Sequence, residues 1–84
     1  MLSIVLPAKN EAAALTEVLP ALRKSHPGAE IIVVDDGSTD ETAEFCRQNG
    51  VVSLRQPYSM GNGAAIKRGA RAASGDTIVF MDAD

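Results

Sequence analysis

The stretch "IIVVDDGSTDET", Ile31 to Thr42, decides how the chain is read. Ile31 to Val34 form a short, unbroken β-branched run of the kind buried on both faces of a parallel sheet. The run ends on two adjacent aspartates, Asp35 and Asp36, then a glycine, a serine and, two residues on, a third aspartate. Neighbouring like charges cost free energy unless a cation or hydrogen-bond donors face them. The sequence therefore predicts a strand over Glu30–Asp35 that delivers an acidic pair to its carboxyl end. Ser38 to Glu41, "STDE", has the form of a capping box, which predicts a helix directly behind the pair, running to Gln48.

The flanking segments repeat this alternation. "LSIVLP", Leu2 to Pro7, reads as a buried strand closed by proline. In "NEAAALTEVLPALRKSHPG", Leu15, Val18, Leu19 and Leu22 fall at helical spacing, Arg23, Lys24 and His26 sit in the last turn, and Pro27-Gly28 stops the helix. Pro20 conflicts with that reading and predicts a kink. "VVSLR", Val51 to Arg55, is a weaker strand, "QPYSMGNG" a loop, and "AAIKRGARAAS" a helix with Ala65, Ile66, Gly69, Ala72 and Ala73 on its apolar side. "TIVFMD", Thr77 to Asp82, is a fourth strand. The order βαβαβαβ with short connections predicts an α/β domain spanning 1–84. Its parallel sheet would have helices on both faces and right-handed crossovers.

Composition narrows the function. At 84 residues the chain holds one small domain, which buries about 60–65% of its unfolded surface. A net charge of −3, no basic run longer than two residues and few aromatics argue against a nucleic-acid surface. The lone Cys46 excludes an internal disulfide and fits a reducing compartment. No apolar run approaches the ~20 residues of a membrane span, and the start lacks a cationic n-region. A cytoplasmic location is the expectation.

Ligands of parallel sheets bind beyond the carboxyl ends of the strands, where strand order reverses. "PAKNE", "DDGSTD" and "DAD" all lie at such ends. A strand order of 3-2-1-4 would gather Glu11, Asp35, Asp36, Asp82 and Asp84 in one crevice, where they would repel one another unless a cation or a donor-rich ligand bridged them. Carboxylate oxygens suit Mg2+ or Mn2+. The plain alternative is a set of solvated loop acids, since turns are rich in aspartate. "GNGAAIKRG" matches neither glycine-rich phosphate-binding pattern; Gly69 reads as a packing glycine and Lys67, Arg68 and Arg71 as a solvated face.

Taken together, "VLPAKNE" (Val5 to Glu11), "VVDDGSTDET" (Val33 to Thr42), "GNGAAIKRGARAASGD" (Gly61 to Asp76) and "IVFMDAD" (Ile78 to Asp84) resemble the donor-binding half of a family 2 glycosyltransferase with the GT-A fold. The dolichol-phosphate mannosyltransferase-like branch is the nearest in character. The resemblance implies that Pro7, Ala8 and Glu11 line the base and ribose of a UDP- or GDP-sugar. It implies that Asp36 hydrogen-bonds the nucleotide with Asp35 as its support. Asp82 and Asp84 match the D-x-D motif, Asp82 holding ribose and both holding the divalent cation. The implied reaction is inverting transfer to an acceptor hydroxyl, with lipid-linked acceptors among the family's substrates and some members membrane-associated. Lys9 departs from a common aromatic, and Asn62 from a common basic residue.

Family members continue past the D-x-D motif into an acceptor-binding half that carries the general base. The chain therefore reads as a truncated fold, inactive alone, whose strand 77–82 forms an exposed edge open to self-association. Two rivals stand beside this reading. One is a Mg2+-dependent receiver-like domain with Asp82 as phosphoacceptor, and the other is a non-catalytic fragment.

Overall fold

A computed structural model describes residues 1–39 and 41–82. In chain order the elements are β1 (Leu2–Ala8), α1 (Ala12–Ser25), β2 (Glu30–Asp35), α2 (Thr42–Gln48), β3 (Val52–Arg55), α3 (Asn62–Ala72) and β4 (Thr77–Phe80). All strand pairs are parallel and the sheet order is β3-β2-β1-β4, as the sequence predicts. β1 and β2 are central and almost wholly buried, which is why their sequences are unbroken apolar runs.

Alternation along these strands divides the core in two. Ile4, Leu6, Ile31 and Val33 face α1 and α2, where they meet Leu15, Leu19 and Cys46. Val5, Ile32 and Val34 face α3 and meet Ala65. α3 lies close to the sheet at Gly69, where a β-carbon would stand 2.3 Å from Val5 Cγ1. Pro20 sits within α1 without ending it. Its solvent-facing position lets water satisfy the carbonyl that the proline leaves unbonded.

Several boundaries differ from the sequence reading. α2 begins only at Thr42, and Glu41 in the N-cap position makes no side-chain cap bond. The expected capping box does not form: the helix starts at Thr42, past the Ser38 N-cap position, and Ser38 instead accepts from the Asn10 amide at 2.8 Å and donates its own amide to Asp35 Oδ1. α3 starts two residues earlier than predicted and leaves Ala72 exposed. β4 stops at Phe80, although the Met81 amide still donates to Val5 O at 3.0 Å.

Candidate functional site

Backbone bonds set the carboxyl edge of the sheet. Ala8 pairs with Asp35, and Asp35 with Arg55. The Asp36 amide then donates to Ala8 O and the Gln56 amide to Asp35 O, each at 2.8 Å. The three chain segments leaving β1, β2 and β3 therefore start level with one another.

The segments are also sewn together by side chains. Asn10 has φ 54°, a left-handed conformation that asparagine tolerates better than most residues. From there its amide reaches Ser38 Oγ, and its Oδ1 accepts from the Thr39 amide at 2.8 Å. Gly37 (φ 74°) lies against the loop before α3: a β-carbon there would stand 2.7 Å from Ser59 N and 2.9 Å from Tyr58 C. Only glycine suits both the conformation and the contact.

The acidic pair divides at this edge. Asp35 continues the alternation of Ile31 and Val33 and turns to the α1/α2 face, fully buried. Its Oδ1 accepts from the Ser38 amide at 2.9 Å, and its Oδ2 has no hydrogen-bond partner among the described residues. Burial first, and then the Asp35 charge, push the Cys46 thiol up to about 11, against a bond with Ser53 that draws it down. Cys46 is thus protonated and inert at neutral pH.

Asp36 turns to the α3 side. Its Oδ1 accepts from the Met60 amide at 2.8 Å, and its Oδ2 from the Gly61 amide and Ser59 Oγ, both at 3.1 Å. Lys9 Nζ donates in turn to Ser59 Oγ at 3.1 Å. The Met60 amide above all holds the Asp36 carboxyl below the usual carboxylate range. Burial opposes this, and Gly61, Ser59 and the Lys9 charge add to it.

A cavity of about 250 Å³ opens at this edge. Pro7, Ala8, Lys9 and Glu11 come to it from the end of β1, Asp36 from the end of β2, Asn62 and Ala65 from the start of α3, and Asp82 from beyond β4. Of the residues singled out in the sequence, Pro7, Ala8, Glu11, Asp36 and Asp82 meet at this cavity, whereas Asp35 faces away from it. Asp84 lies outside the described residues. The crowding expected of the acids is relieved by that divergence, and among the described residues no three His, Cys, Asp or Glu side chains form a metal-holding group.

The sequence reading turned the Lys9 charge toward phosphate and put Ala65 on the apolar side of its helix, but gave no site role to Asn10, Asn62 or the Ser59–Gly61 loop. Asn62 and Ala65 were legible in principle, because a helix entered through Gly61 and Gly63 at a parallel sheet must open near the strand ends. The role of Asn10 depends on contacts 28 and 29 residues away, which no local pattern encodes.

Residues 3–84 match the family model described as glycosyl transferase family 2. Across 92 aligned residues the chain is 40% identical to glucosyl-3-phosphoglycerate synthase of Mycobacterium tuberculosis, covering 99% of this chain and 28% of that protein. A dolichyl-phosphate beta-glucosyltransferase of Trichomonas vaginalis is 34% identical over 96 residues, covering 98% and 29%. Among solved structures, a mannosyltransferase from Pyrobaculum calidifontis in complex with GDP-Man and Mn2+ superposes with a TM-score of 0.91 at 26% identity, over 99% of this chain and 27% of that one. The mycobacterial synthase with Mn2+, UDP and glucosyl-3-phosphoglycerate gives a TM-score of 0.87 at 35% identity, over 100% and 33%. The chain thus spans between about a quarter and a third of the proteins it matches. None of its described helices is long and apolar enough to cross a membrane.

Proposed function

Since the chain belongs to glycosyl transferase family 2, we propose that its cavity binds the nucleotide-diphospho-sugar from which an inverting enzyme transfers a sugar to an acceptor hydroxyl. The observation that carries this reading is the convergence of Glu11, Asp36 and Asp82 with Lys9 on one cavity at the carboxyl edge of the sheet. Such a mixed rim accepts from base and ribose donors while offering one cation to a diphosphate. Pro7 and Ala8 supply an apolar wall for the base. Glu11 and Asp82 supply acceptors for ribose and base, and Asp35 holds the turn at Ser38 from beneath.

The donor set fits a hard divalent cation. Asp82 brings a solvent-facing carboxylate to the cavity, and Mg2+ or Mn2+ takes one or two carboxylates together with substrate phosphates. Asp84 is the natural second ligand. When bound, the ion would offset charge on the departing nucleoside diphosphate. Lys9 adds positive charge to the same rim, and the buried Ala65 gives the cavity an apolar lining residue from α3. The Mn2+ and the UDP and GDP-Man of the two solved relatives support both the ion and the nucleotide class.

The receiver-like alternative loses ground to the sheet. Receivers place β1 between β2 and β3, in the order 2-1-3-4-5, whereas here β1 lies between β2 and β4.

The test is a titration of the 84-residue chain with UDP and with GDP, each with Mg2+, followed by amide NMR. Metal-dependent shifts at Ala8 to Glu11 and at Asp82 are expected, and EDTA should reverse them. A dispersed spectrum that responds to neither nucleotide would refute the reading.

A further inference from the structure

The dipeptide Asn-Gly occurs twice in the chain, at Asn49-Gly50 and at Asn62-Gly63. An asparagine carries its side-chain amide carbon within reach of the next residue's backbone nitrogen, and a following glycine puts no side chain in the way. Ring closure between the two turns the amide into an acid unless the fold keeps the groups apart. The structure treats the two pairs differently.

At the end of α2 both groups are engaged. Asn49 Nδ2 donates to Phe45 O at 2.8 Å, and the Gly50 amide donates to Arg47 O at 3.2 Å. Asn62 and Gly63, by contrast, open α3. The Ala65 amide is the first to bond back, to Gly61 O at 3.2 Å, so the Gly63 amide is one of the orphan donors of a helix start. Asn62 is exposed, and its side chain makes no hydrogen bond among the described residues. Rotation about its Cα–C bond, which brings the amide carbon to the Gly63 nitrogen, gives up that one long bond from Ala65.

We propose that Asn62 is a site of spontaneous deamidation, and that the change adds a negative charge to the donor cavity and loosens its hold on nucleotide. The Gly63 nitrogen gives its proton to a base in solvent and bonds to Asn62 Cγ; the Cγ–Nδ2 bond breaks and ammonia leaves. Water then opens the resulting succinimide at either carbonyl, giving aspartate or isoaspartate. The positive end of the α3 dipole favours a carboxylate at this position, so the fold survives the conversion to aspartate. The cavity does not gain by it. Asn62 shares its lining with Glu11, Asp36 and Asp82 against one lysine, Lys9, and a further anion there repels a diphosphate. The effect on binding rests on the donor reading above, whereas the chemistry at Asn62 does not.

The 84-residue chain, aged folded in mildly alkaline buffer and then cut with trypsin, reports on both pairs at once. Asn49 falls in the peptide 48–55 and Asn62 in the peptide 56–67. The mass gain from amide to acid should build up at Asn62 well before Asn49, and in urea the two rates should converge. Equal rates in the folded chain, or an Asn62 that stays intact, would overturn the proposal. Gly63→Ala sets a methyl beside the attacking nitrogen, where a β-carbon meets nothing within 4 Å. It should slow the change at Asn62 with the urea midpoint kept or raised; an unaltered rate would rule out cyclisation.

Asn62→Asp supplies the aspartate product in pure form. Its affinity for UDP or GDP with Mg2+ should fall by about threefold or more, and further at low ionic strength. Binding as tight as in the unaltered chain would sink the claim that the cavity is weakened, although the donor reading would hold. If the unaltered chain binds neither nucleotide, the donor reading fails and the binding claim with it, while the peptide masses still decide the chemistry at Asn62.

Discussion

Two residues adjacent in sequence do unrelated work here. Asp35 is buried on the α1/α2 side and holds Ser38, while Asp36 holds the loop on the α3 side. Because Asp36 is held by amides that favour its charged form, its folded pKa lies below the unfolded value of about 4. The unfolded chain then binds the extra proton first, so the stabilisation is complete above about pH 4 and is lost as pH falls through the folded value. Glu30, held low chiefly by the Ser74 amide and then by Ser3, acts in the same direction. Urea midpoints should drop between pH 6 and pH 3, and less steeply in Asp36→Asn. Asn10 makes a second residue-scale case. Asn10→Ala removes the acceptor for Thr39 and puts alanine at φ 54°, a change expected to cost about 2 kcal/mol in urea unfolding.

At the scale of elements, what the sequence reveals follows what is local. β1, β2 and β4 announce themselves as apolar runs, although β1 continues through Pro7 to Ala8, and the helices by their spacing and their stops. The start of α2 does not, because Ser38 is drawn into bonds with Asn10 and Asp35 and the helix begins only at Thr42. The cavity is half legible for the same reason: carboxylates at strand ends can be read off, but which face each one takes depends on the pleat. The closeness of α3 to the sheet yields a sharp prediction. Gly69→Ala would drive a methyl into Val5 and Val34, and unlike most Gly→Ala changes in helices it should destabilise, by about 1–3 kcal/mol. Gly37→Ala should be at least as costly, since backbone rather than side chain blocks it, and its effect should reach the amides of Ser59 and Met60.

For the whole molecule, the end of the sheet opposite the cavity has its own fastening. Ser3 Oγ donates to Glu30 Oε1 at 2.9 Å and accepts from the Gly75 amide at 2.9 Å, while the Ser74 amide donates to Glu30 Oε1 at 2.8 Å. This ties the starts of β1 and β2 to the turn that launches β4. Glu30→Ala strips that turn of its acceptor and leaves buried Ser3 short of a partner. A loss of about 2 kcal/mol is expected, with exchange rising first at the β4 amides.

The central place of β1 has a consequence for how the protein is made. β1, which precedes the other three strands in the sequence, is flanked by β2 on one side and by β4 on the other, and β4 joins it through pairs such as Leu2 with Thr77. While a ribosome is still producing α3, one side of β1 carries unsatisfied amides and carbonyls and an apolar surface awaiting a neighbour. The nascent chain therefore passes through a stage in which a strand buried in the finished sheet is an open, aggregation-prone edge. Slow translation ahead of Thr77 would prolong that stage, and rapid delivery of β4 would end it.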